Sequence, residues 1–285
     1  MDAIAGGERG VVPGDVALRY DEWGAGAGDP PLVLVHGYTG SAADWVHVAP
    51  VLGRRRRVLA YDQRGHGDSG RAGAVERYSF DLLVDDLVRF LDHLGLDRVD
   101  LLGHSMGGVI ALRLALDHPA RVRSLVLMDT GAEPAGAMPM AAIEGLTVVG
   151  RSQGMPAAYE VIVAELGAPS RARRRRGQPT VEDEVADRER DERVARSFAR
   201  LDPDAFLALG RELDCYPSLI GRLGEVACPV TVMVGERDTG LRGSADVLAD
   251  RIPGARLAVV PAAGHSPQED EPEAWIAVVE EHLAG

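Results

Sequence analysis

Lysine is absent from this chain. All 31 of its basic residues are arginine, and against 44 acidic residues they leave a formal charge of −13. Phosphate contacts need clustered positive charge, so this balance argues against a nucleic-acid partner. Cysteine is scarce. Cys215 and Cys228 are too few for a disulfide framework or a thiolate metal set, and they are expected to be reduced, partly buried thiols. Aromatic residues make up only 5% of a chain that is 46% hydrophobic, so its core must be mostly aliphatic. No apolar run approaches the roughly 18 residues of a membrane span. The opening MDAIAGGERG lacks the basic start and apolar stretch of a signal peptide. A cytoplasmic protein without membrane contact is the default expectation, and nothing marks its oligomeric state.

What is present has a rhythm. PLVLVHG (31–37), RRVLAYD (56–62), RVDLLGH (98–104) and VRSLVLMD (122–129) are short apolar runs of the kind buried on both faces of a sheet. VALRYDEWG (16–24) alternates and ends in glycine, as an edge strand of a leading hairpin would. Between these runs lie helical patterns. In SFDLLVDDLVRFLDHLG (79–95) the apolar residues recur every three or four positions, with Ser79 as N-cap and Gly95 closing the end. MGGVIALRLALDHP (106–119) is a helix stopped by Pro119. Strands alternating with helices imply right-handed crossovers and a largely parallel sheet.

The rhythm breaks after residue 131 and returns near 216. Between them Ala, Gly, Pro and charge dominate, and VEDEVADRERDERVARSFARL (181–201) has the interleaved acids and arginines of an exposed helix. RARRRR (171–176) and RRRR (54–57) are expected to be solvated loop or helix ends rather than anion sites. PVTVMVGERD (229–238), SADVLADRIPG (244–254), ARLAVVPAAGH (255–265) and EPEAWIAVVEEHL (271–283) then supply strand, helix, strand with loop, and helix. The expected organisation is one α/β core, 1–131 with 216–285, interrupted after the sixth strand by a mostly helical insertion at 132–215.

Chemistry enters at GHSMG (103–107), on a strand-to-helix junction. The sharp turn of a nucleophile elbow needs small neighbours, so Gly103 and Gly107 read as steric requirements and Ser105 as the exposed nucleophile. A serine hydroxyl needs a base. Of the eight histidines, His47, His93, His118 and His282 fall on or near helices as surface or capping residues, and His104 should point away from the turn. His265 stands after a strand in the loop AAGHSPQEDEP and is the candidate base. A carboxylate must orient that imidazole. Asp238, beyond the strand TVMVGERD, fits the order Ser, Asp, His, and Asp129 occupies a similar place one strand earlier. Backbone N–H groups of Met106 at the helix start and of Tyr38 after Gly37 are the candidate oxyanion donors. Trp45, Met138, Met140, Tyr159 and Phe206, with Tyr38 and Met106, are candidate pocket walls. No cofactor and no metal-ligand set is implied.

Together LVLVHGYTGSAADW, AYDQRGHGDSG, LLGHSMGG, GERD and AAGHSPQEDEP resemble the α/β-hydrolase superfamily over nearly the whole chain outside 132–215. The resemblance implies an α/β-hydrolase fold, a Ser-His-Asp triad, a helical cap for the insertion, and a bracing role for the loop 62–70 with His66. A serine at the elbow argues against the dehalogenase and epoxide hydrolase branches, which use aspartate. Thr39 stands where related perhydrolases usually carry proline. Ser266 stands where carbon–carbon hydrolases of ring-cleavage products often carry tryptophan after the catalytic histidine, and no tryptophan lies in the insertion. A small-molecule substrate, a partly apolar ester or lactone, is the expectation. The alternatives are a carbon–carbon hydrolase, a cofactor-free oxidoreductase or perhydrolase with the same triad, and a low-turnover receptor-like protein.

Overall fold

The structure is a computed structural model that describes residues 7–24, 29–136, 138–168 and 181–285. The arginine run 171–176 lies outside the described residues. The first half contains β1 (Glu8–Val12), β2 (Leu18–Trp23), β3 (Asp29–Val35), α1 (Ala49–Leu52), β4 (Arg56–Tyr61), α2 (Phe80–His93), β5 (Val99–His104), α3 (Met106–Asp117) and β6 (Val122–Met128). Four helices follow: α4 (Met140–Gln153), α5 (Met155–Leu166), α6 (Val181–Arg200) and α7 (Pro203–Cys215). The chain closes with β7 (Val230–Gly235), α8 (Arg242–Arg251), β8 (Arg256–Val260), α9 (Pro267–Asp270) and α10 (Pro272–Ala284).

The strands form one sheet in the order β1-β2-β4-β3-β5-β6-β7-β8, parallel from β4 to β8, with β1 and β2 antiparallel. The strand at 16–24 is therefore not the edge; β1 lies outside it, and β2 pairs with β4 through Tyr20 and Tyr61.

Successive side chains of a strand face opposite ways, and this sheet is apolar on both faces. Val33, Val35, Leu59, Tyr61, Leu101, Leu125 and Leu127 join the core beneath α2 and α3. Leu32, Leu34, Val58, Ala60, Leu102, Val126 and Met128 join the other, against Trp45 and Trp275. Burial on both faces turns these strands into continuous apolar runs, which is why the sequence shows no alternation there. The RRRR run at 54–57 enters β4: Arg56 pairs with the buried Asp100 and Arg57 with Glu22. Cys228 is buried, whereas Cys215 is exposed.

Parallel order also sends every βα loop of β3 to β8 to one end of the sheet, the place where open α/β sheets present ligand sites.

Candidate active site

β5 ends at His104 and α3 begins at Met106, leaving a single residue to reverse the chain. That residue, Ser105, has φ 54° and ψ −119°, a sparsely populated conformation of the kind that persists where its surroundings enforce it. They do so here. Its N–H donates to the Met128 carbonyl at 2.9 Å, and its carbonyl accepts from the Thr130 hydroxyl at 2.7 Å. A Cβ at Gly103 would lie 2.2 Å from the Gly107 carbonyl oxygen, and one at Gly107 would lie 2.4 Å from that of Val35. Both glycines are steric necessities of the turn.

The loops after β7 and β8 bring two further side chains to this point. His265 Nε2 lies 3.1 Å from Ser105 Oγ, and its Nδ1 lies 2.7 Å from Asp238 Oδ2. Asp238 Oδ1 also accepts from the Leu241 N–H at 3.3 Å. Burial pushes the Asp238 carboxyl up, but His265 and the other donors beside it outweigh this and hold it below the ordinary range. Asp129 comes to the same place. Donor atoms of Asp129, Asp238 and His265 all lie within 4.8 Å of one another.

On the other side of Ser105 runs the loop after β3. A Cβ on Gly37 would meet the Ser105 Cβ at 3.3 Å, so the backbone at 37–38 lies directly against the nucleophile position. Met106 opens α3, and its N–H has no intrahelical carbonyl to reach. His66 Nε2–H donates to the Tyr38 carbonyl at 2.5 Å. The Tyr38 ring stacks on Phe206 of α7, and its hydroxyl donates to the Phe206 carbonyl. Asp62 accepts from the N–H groups of Ala42 and Asp68. The loop 62–70 thus props the loop 36–45.

A cavity of about 650 Å³ opens over Ser105 and His265. Tyr38, Met138, Val194, Leu213 and Leu241 give it apolar surface; Asp44, Arg190, Arg193, Gln268 and Glu269 give it polar surface. Of the candidate walls, Tyr38 and Met138 line it. The other five do not line it. Trp45 is fully buried beneath His104 and against Trp275. Phe206 is fully buried behind Tyr38. Met140 and Tyr159 pack into the core, Tyr159 against Phe198. Met106 is likewise buried.

Several contributors escaped sequence reasoning. His104 does not merely turn away: its Nε2–H donates to the His265 carbonyl at 2.6 Å. Arg190 and Arg193 of α6 pair with Asp270 and Glu269, just beyond His265. Asp44, whose carboxyl burial pushes up to about 7, faces the cavity. The signal for α6 was available in the spacing of Arg190, Arg193, Val194 and Ser197, one stripe of a helix, although its arginines disguise it as a solvated face.

Comparison with known proteins identifies the family and the fold. The family model described as the alpha/beta hydrolase fold matches residues 30–272. An esterase from Thermogutta terrifontis superposes with a TM-score of 0.79 at 26% identity, covering 97% of this chain and 98% of that one. An enol-lactonase from Burkholderia xenovorans, at 22% identity, shares the fold with a TM-score of 0.80 over 98% of this chain and 100% of that one. A 2-hydroxymuconate semialdehyde hydrolase from a Pseudomonas strain is 40% identical over 125 residues, 43% of each chain. The chain spans less than half the length of the first curated relatives it matches.

Proposed function

Since the chain belongs to the alpha/beta hydrolase family, we propose that it is a hydrolase that cleaves carboxylic ester or lactone bonds of a small, partly apolar substrate through an acyl-enzyme. The observation that carries this reading is the unbroken hydrogen-bonded line Ser105 Oγ, His265, Asp238 at a strained strand-to-helix turn.

In this reading His265 Nε2 takes the Ser105 proton as Oγ attacks the substrate carbonyl carbon. Asp238 holds the ring by its Nδ1–H and stabilises the imidazolium. The carbonyl oxygen becomes an oxyanion facing the N–H groups of Tyr38 and Met106, the latter at the positive end of α3. Collapse of the intermediate expels the alkoxide, which receives the proton from His265. Water, activated by the same nitrogen, then cleaves the acyl-serine and releases the acid. A lactone follows the same steps with its leaving alkoxide still tethered. Helices α4 to α7 would act as a cap, and the mixed lining of the cavity suits a substrate with an apolar portion and a polar one.

Turnover of short- and medium-chain p-nitrophenyl esters and a lactone panel tests this, with Ser105→Ala alongside. The substitution is expected to lower kcat by at least roughly a thousandfold. Turnover that survives it would remove Ser105 from the mechanism. A vinylogous ring-cleavage acid belongs in the panel, because turnover of that substrate alone would move the scissile bond from ester to carbon–carbon.

A further inference from the structure

Asp129 has no part in the reading above, yet it lies at the centre of the site. It follows β6 with φ 43°, a conformation that aspartate tolerates better than most residues, and its N–H donates to the Met233 carbonyl. Its side chain is fully buried. Oδ1 accepts from the Gly235 N–H at 2.9 Å, while Oδ2 is buried with no donor to serve it. Among the described residues, no arginine pairs with Asp129. The groups that face it are the Gly235 N–H from β7, Asp238 from the loop after β7, His265 from the loop after β8, and, farther off, Asp270 of α9. Asp270 is already paired with Arg190.

Two carboxyl groups this close, one of them fully buried, disfavour double ionisation, and the proton goes to the one that is less well served. Asp238 accepts from His265 and from the Leu241 N–H. Asp129 accepts from a single N–H, and burial together with the neighbouring Asp238 drives its carboxyl well above the ordinary range. The orphaned oxygen of Asp129 therefore has a use if it bears a proton: a carboxylic O–H is a donor.

We propose that Asp129 is a neutral carboxylic acid whose Oδ2–H donates a hydrogen bond to Asp238, making it a positioning residue that holds the Asp238 carboxylate for His265. The proposal rests on the Ser105–His265–Asp238 reading. It gives Asp129 a role distinct from that of a substitute triad acid, since a carboxyl that keeps its proton cannot stabilise an imidazolium by charge.

Asparagine can reproduce both contacts, its oxygen accepting from Gly235 and its NH₂ donating to Asp238. Leucine of similar volume reproduces neither. Asp129→Asn is expected to keep kcat within about threefold, and Asp129→Leu to lose roughly tenfold to a hundredfold in kcat with KM little changed. Wild-type activity falls at alkaline pH as Asp129 ionises, loses its donor and repels Asp238; Asp129→Asn lacks this limb. The wild-type minus Asp129→Asn infrared difference spectrum at neutral pH shows a protonated-carboxyl C=O band. That readout needs no substrate and no folded leucine variant. Absence of the band, an Asp129→Asn variant as inactive as Asp238→Asn, or an unchanged kcat in a folded Asp129→Leu variant would each overturn the proposal. Ser105→Ala and Asp238→Asn are assayed in parallel. Full turnover in Ser105→Ala marks failure of the triad reading itself, whereas the infrared band reports on the Asp129 proton alone.

Discussion

His104 shows how a residue next to the nucleophile can act through a third party. Its Nε2–H holds the His265 carbonyl, so the ring is the neutral Nε2–H tautomer, and Nδ1 is buried without a partner. Burial, with the neighbouring His265, pulls its pKa down to about 3. Unfolded histidine titrates near 6.5. The stability contributed by this neutral ring is thus complete above about pH 6.5 and is lost as pH falls toward 3, at up to about 1.4 kcal/mol per pH unit. His36, His66 and His282 add to the wild-type slope in the same way, so urea unfolding at several pH values is expected to show a shallower slope in His104→Gln, which keeps a donor but does not titrate, than in the wild type. An equal or steeper slope in the variant would contradict the assignment. Ser105, Asp238 and His265 were legible in the sequence because each stands just beyond an apolar strand, where chain order and the strand's end give its place. The His104 bond was not, because it joins a ring to a carbonyl 161 positions away. Trp45, a candidate pocket wall in the sequence, is instead turned into the core against Trp275.

Among the elements, α6 departs furthest from its sequence pattern. Interleaved charge marks an exposed helix, yet the side chains of Arg190 and Arg193 are only 11% and 10% exposed and pair with Asp270 and Glu269. Arg193 also donates to His47 Nε2 at 3.1 Å. Asp270 in turn accepts from the Gly264 N–H, beside His265. The pairs therefore bind the inserted helices to the loop that carries the histidine. Breaking such a pair on one side leaves an unpaired charge, so Arg193→Met is expected to cost roughly 3 kcal/mol in chemical denaturation. It should also raise amide exchange in α6 relative to the sheet. A change within about 0.5 kcal/mol, as for ordinary surface substitutions, would mean that the pair does not hold the helix.

Over the whole molecule, the α/β rhythm was legible because a parallel sheet covered on both faces demands short apolar runs at regular spacing. Of the four inserted helices, α6 was legible at 181–201 from its interleaved charge; the others were legible only as a helical region, although Asp202 caps α7 and Pro203 opens it. The core beneath α2 carries much of the stability, with Phe90 fully buried against Tyr20 and Tyr61. Phe90→Ala is expected to cost about 3–5 kcal/mol, lowering the urea midpoint while leaving the m-value unchanged. A changed m-value would point to a partly unfolded native state. The central claim, that Ser105 is an activated nucleophile, is tested most directly by intact-mass and peptide mass spectrometry after treatment with a fluorophosphonate. The account predicts one phosphonyl adduct per chain, on Ser105 and absent from Ser105→Ala. An unlabelled chain, or an adduct elsewhere that persists in the variant, would contradict it.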